Sequence, residues 1–122
     1  MSKVSENQSG LDETNKIIKD IEGDIFTINR LLKVKLSDYD NYVSQISYIK
    51  DNIKKIDDLQ HIDILKSLKN NITEIKTQVA EINIDDIEYN KDKIMNDINI
   101  LIATIGSTYN LFNSYLMIFK KN

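Results

Sequence analysis

The chain has 122 residues, a net charge of −3, and neither cysteine nor proline, which bounds it to one domain and excludes disulfides and thiolate metal sites. Freedom from proline suits long helices, because proline in a helix interior removes a hydrogen bond and clashes with the preceding turn. Fifteen of the sixteen basic residues are lysine, mixed along the chain with nineteen acids, so the single basic face of a nucleic-acid binder is not expected.

Residues 1–10 are polar, with Ser2, Ser5, Asn7, Ser9 and Gly10, and read as a flexible N-terminus. They hold no apolar core for a signal peptide, so secretion is not expected. Together with the lack of cysteine this suits a cytoplasmic protein. The glycosylation patterns at Asn7 and Asn71 are then fortuitous.

From Leu11 a helical signal begins. Leu11, Thr14, Ile18, Ile21, Ile25, Ile28 and Leu32 alternate steps of three and four, the seam of a coiled coil. Near Leu36, Tyr39 and Tyr42 the phase slips, and Ser37 and Asp38 can cap a new helix there. Tyr42, Ile46, Ile49, Ile53 and Ile56 then resume the pattern. Taken as one helix, 11–56 would be about 70 Å long at about 1.5 Å per residue.

Asp57-Asp58-Leu59-Gln60-His61 is the next candidate break. Leu65, Leu68, Ile72, Ile75, Val79 and Ile82 form a second seam, predicting a helix over 62–82. Asn83-Ile84-Asp85 is the strongest turn signal in the chain. A last helix is expected over 85–119, with Asp85, Asp86 and Glu88 capping its start and Lys120 and Lys121 at the end where the dipole favours cations. Its stripe is Ile94, Ile98, Leu101, Ile105, Thr108, Phe112, Tyr115 and Phe119. No segment alternates with period two, so the expected fold is all-α without a β-sheet: long coiled-coil-like helices, extended or closed into a hairpin or bundle.

Little here points to chemistry. His61 is the single histidine, and Asp57, Asp58 and Asp63 beside it read as helix caps before metal ligands. No nucleophile elbow or glycine-rich phosphate loop is present. Neither a cofactor, a metal, a small-molecule substrate nor catalysis is expected. Lys50, Lys54 and Lys55 are interleaved with Asp51, Asp57 and Asp58, as on a solvated helix face. The run Ile98–Phe119 carries no charge and is long enough for a tail anchor. Yet Asn99, Asn110 and Asn113 are expensive in hydrocarbon, and the apolar residues keep to one stripe, which favours a bundle helix.

Asp85-Asp86-Ile87-Glu88, Ile94, and the run Asp97-Ile98-Asn99-Ile100-Leu101 resemble a segment of the small coiled-coil subunits, fungal type, of the biogenesis of lysosome-related organelles complex. The resemblance lies within Asp85–Phe119. It implies a non-catalytic subunit of a cytosolic hetero-oligomeric scaffold, peripheral on endosomes through the complex, in cargo sorting and vesicle trafficking.

The three seams offer more apolar edge than one short chain is expected to close on itself, so obligate assembly with other small coiled-coil proteins is expected. The interface would run along Ile18, Ile21, Ile25, Ile28, Leu32, Leu68, Ile72, Ile75, Val79, Ile94, Ile98, Leu101, Ile105, Phe112, Tyr115 and Phe119, and aspartate at Ile98 or Leu101 would break it. The rival readings are a self-contained helical bundle that binds other proteins, a subunit of another helical assembly such as the outer kinetochore ring, and a tail-anchored membrane protein.

Overall fold

A computed structural model describes the backbone of residues 2–56 and 62–121, and the side chains of 13–55 and 62–117. The chain is all-α: α1 spans Ser2–Lys35, α2 Tyr39–Asn52, α3 Ile62–Glu81 and α4 Lys91–Lys121. Single 3₁₀ turns occupy Ile53–Ile56, at the end of α2, and Ile84–Asp86, before α4. No strand occurs among the described residues.

Helix α1 packs on α2 and α3, and α4 packs on the same two helices. The four therefore form a square bundle with α1 opposite α4 and α2 opposite α3. The ion pairs Lys66–Glu13, Lys69–Asp20 and Lys76–Asp24 advance together along α1 and α3, so these neighbours run parallel. Helix α2 returns against α1, with Asn29 Nδ2 donating to Ser47 Oγ at 3.2 Å, and α4 returns against α3. Ion pairs that keep this much contact with solvent are each worth about 1 kcal/mol or less, even with Asp24 half-buried, so the ladder reports the register and the core supplies the stability.

The seams explain the architecture. Ile18, Ile21, Ile25, Ile28 and Leu32 of α1, Ile46 and Ile49 of α2, Leu65, Leu68, Ile72, Ile75 and Val79 of α3, and Ile94, Leu101, Ile105 and Phe112 of α4 are all buried in one core. A fully buried side chain of this size contributes about 1.5–3 kcal/mol. Among the described side chains, the apolar edge expected to exceed what one chain can close is covered within this one, apart from the half-buried Tyr42, Ile98 and Tyr115.

Three boundaries differ from the periodicity. The expected helix over 11–56 is two helices, broken at 36–38. Leu36 N–H still donates to Leu32 O, and Leu36 is buried at the corner. One continuous helix would leave the second half of its stripe without a facing partner, whereas the break folds Ile46 and Ile49 back onto α1. The backbone is helical from Ser2, so the polar stretch expected to be flexible lies in α1. Finally, α4 begins at Lys91 and not at 85. The turn read at Asn83-Ile84-Asp85 is there, with Asn83 Oδ1 accepting from Asp85 N–H, but it continues. Asp86 O accepts from the N–H groups of Tyr89 and Asn90, so Asp85, Asp86 and Glu88 lie in overlapping turns ahead of the helix and do not cap it.

Candidate interaction surface

Most of the residues expected to form an interface between chains line the interior of this one. Of the sixteen, Ile98 and Tyr115 are half-buried beside the core and Phe119 lies outside the described side chains; the rest are buried. A partner reaches them only by displacing one of the chain's own helices. Aspartate at Leu101 would consequently unfold the bundle rather than selectively break an assembly, because it would bury an unpaired charge in the core.

What remains for a partner is the outer surface, and α4 stands apart there. Every exposed position of this helix from Asn99 to Met117 is uncharged: Asn99, Ile100, Ala103, Ser107, Asn110, Ser114 and Met117. The outer faces of the other helices carry charge, with Glu13, Lys16, Lys19 and Arg30 exposed on α1 and Asp63, Lys66 and Glu74 on α3. Ile100 is 47% exposed and Met117 61%. A β-carbon added at Gly106 would meet nothing, so packing within the bundle does not require glycine there. Ile100, Ala103, Thr104, Ser107 and Leu111 form one wall of a shallow groove against Asn71 and Glu74 of α3.

At its N-terminal end this face runs into a cleft of about 540 Å³ between the α1–α2 corner and the start of α4. Ile84, Ile87, Met95, Ile98 and Ile102 supply its apolar wall, and Lys35, Ser37 and Asp38 its polar rim. Ile87 and Met95 are exposed, as is Tyr89 at 85%. Lys35 Nζ donates to Val79 O at 2.7 Å and Ala80 O at 3.1 Å. The ammonium thus caps carbonyls of the last turn of α3 from the neighbouring helix, sharing Val79 O with the N–H of Ile82, at the end where the dipole favours a cation. Burial lowers its pKa below the usual lysine value. Both donor bonds tie Lys35 into the fold, and it reads as a structural lock before a reactive amine.

On the far side of the bundle, Tyr48 of α2 meets Tyr109 and Phe112 of α4 edge-to-face, with ring centroids 5.4 and 6.1 Å apart. These contacts account for three of the chain's aromatic rings as packing.

Among the described residues, no helix is long and apolar enough to cross a membrane, and no cluster of metal-ligating side chains occurs. His61, Asp57 and Asp58, weighed as ligands, lie outside the described residues. The chain matches no protein-family model, no curated protein and no solved structure.

The periodicity pointed inward and so missed the outer face of α4. A signal for that face was nevertheless present: the charge-free run from Ile98, of which the stripe accounts for only the inward half.

Proposed function

We propose that the protein is a non-catalytic helical binding subunit, which folds as a bundle by itself and joins other helical chains through the outer face of α4. The observation that supports this is the absence of charge from every exposed position between Asn99 and Met117. In a chain whose residues are 29% charged, solubility alone would be served by Lys and Glu at such positions. Depletion of charge, with exposed Ile and Met, is what the centre of a protein interface needs. The small side chains at Ala103, Gly106 and Ser107 would let a partner helix approach closely.

The setting to examine first is the one implied by the resemblance of 85–101 to subunits of the lysosome-related organelle complex: a cytoplasmic scaffold peripheral on endosomes, acting in cargo sorting. That setting is a proposal resting on the resemblance alone.

Affinity purification of the tagged full chain from its native cell, followed by mass spectrometry, tests the reading. The wild type should bring down a stoichiometric set of other helical proteins. The double variant Ala103→Glu and Asn110→Lys, changed only at exposed positions, should lose them while its helical circular dichroism and thermal midpoint stay unchanged. Recovery of the bait alone from wild-type cells would overturn the reading.

A further inference from the structure

A second feature of the surface lies on the α1–α2 side, away from the α4 face. Phe26, Asn29, Arg30, Lys33 and Val34 follow helical spacing along α1 and, with Lys50 of α2, line a groove of about 480 Å³. Phe26 and Val34 are each 67% exposed, well beyond what contact with their own bundle requires. Asn29 ties the floor of the groove to Ser47.

Within this groove the charge is of one sign, and the carboxylate one turn before Phe26 on α1, Glu22, lines the adjoining groove with Lys19 and Lys54. Arg30, Lys33 and Lys50 line the groove and no carboxylate does. Elsewhere the lysines facing acids are engaged, at Lys66, Lys69, Lys76 and Lys93. Among the described residues none of the three groove cations forms an ion pair. They gather on a chain whose net charge is −3.

We propose that the groove between α1 and α2 receives an acidic amphipathic helix of another protein, its apolar ridge seated on Phe26 and Val34 and its carboxylates paired with Arg30, Lys33 and Lys50. This deepens the binding-subunit reading by a second face and rests on it. A helix fits because the anchors are spaced i and i+8 in a trough between two helices, where a third helix lays its ridge. Unlike charges across the rim supply orientation and encounter rate. A nucleic acid fits less well, since three cations within about two turns fall short of the six to ten phosphate contacts of a typical binder. An anionic bilayer would meet a net-acidic chain and be repelled by the rest of it.

Selection of displayed helical peptides against the full chain tests the proposal, using a library with a fixed leucine stripe and random flanking charge. Enriched peptides should carry Asp and Glu at the flanks. They should shift backbone amides within 26–34 and 47–50 in NMR titrations and bind more weakly as salt rises. Affinity should fall at least about tenfold for Phe26→Ser and for the triple variant R30E/K33E/K50E. All four positions are exposed, and unchanged thermal unfolding of both variants would show that the fold is kept. Enrichment of neutral or basic flanks, amide shifts elsewhere, or indifference to the variants would overturn the proposal. So would binding of phosphatidylserine vesicles or of an oligouridine through these residues with no peptide enriched, an outcome that would assign the groove to a bilayer or to RNA. If the proteins that co-purify with the wild type are all retained by R30E/K33E/K50E but lost on changing Ala103 and Asn110, the groove is refuted and the binding-subunit reading stands.

Discussion

Leu101→Ala decides whether the chain's own core holds the fold. Leu101 is fully buried in that core, so truncation removes the transfer energy of its lost atoms and leaves a cavity, together about 2–5 kcal/mol. With a urea slope of about 1–3 kcal/mol per molar for a small protein, the unfolding midpoint should fall by on the order of 1–2 M. Ile100, its neighbour in sequence, is 47% exposed, and Ile100→Ala should cost less than about 1 kcal/mol. The measurement is urea unfolding followed by circular dichroism, on the chain made alone. Run at about 5 and about 100 µM, a monomeric fold gives one midpoint, whereas an obligate dimer gains RT ln 20, about 1.8 kcal/mol, over that range. A wild-type midpoint that climbs with concentration would show that the seams are shared between chains. A Leu101→Ala cost below about 1 kcal/mol would show that α4 is not packed as described.

Three further predictions test separate contacts. Lys35→Met should cost about 1 kcal/mol, by removing the two bonds to the last carbonyls of α3. Burial lowers the pKa of Lys35, so between that lowered value and the usual lysine range the unfolded chain binds the proton that the folded chain releases. The unfolding free energy attributable to this group therefore rises with pH across that window. The wild-type minus Lys35→Met difference isolates it, and a difference that falls with pH would refute the account. A double-mutant cycle on Tyr48→Leu and Phe112→Leu should return a coupling of about 0.5–1.5 kcal/mol for the edge-to-face pair, with additivity within experimental error counting against it. Gly23→Ala and Gly106→Ala should each raise stability by about 0.5–1 kcal/mol, since both glycines lie inside helices with open space around a new β-carbon. A loss at either site in thermal unfolding would mean that the glycine serves the bundle after all.

The inward half of each helix was legible in the sequence because burial imposes a period that residue types must follow. Ile21, Ile25, Ile28 and Leu32 fall where the stripe places them, as do Leu68, Ile72, Ile75 and Val79. The failures follow physical lines too. A strict heptad puts Tyr115 in the core of α4, but Leu116 is buried there and Tyr115 only half so. A straight helix turns once per 3.6 residues, so its buried stripe drifts about 20° per heptad, and by the end of α4 it has moved on by one residue. Ile17, buried beside Ile18, fits the wider face of a bundle helix compared with a two-stranded seam. The turn before α4 was visible in Asn83. Its extent was not, because the carbonyl of Asp86 accepts two later N–H groups, and backbone pairing of that kind leaves no mark on residue type.

The same asymmetry separates fold from function. A stripe of Ile and Leu records only that something covers it, and the pattern alone does not distinguish a helix of the same chain from a helix of another. In the folded chain the described seams are covered by its own helices. The outer face of α4 then acquires a meaning it lacked before. While the run from Ile98 was a single uncharged segment, its Asn and Ser residues weighed against lipid and its Ile and Leu residues favoured a partner helix. Once Leu101, Ile105 and Phe112 are assigned to the core, what is left outside is Asn99, Ile100, Ala103, Ser107, Asn110, Ser114 and Met117. That set is too polar to face hydrocarbon and lacks the charge of the chain's other exposed faces. A protein partner that pairs the amides and covers Ile100 and Met117 satisfies both conditions, and this makes the Ala103→Glu and Asn110→Lys variant the sharper probe of function: it alters the outer face and leaves the buried stripe intact.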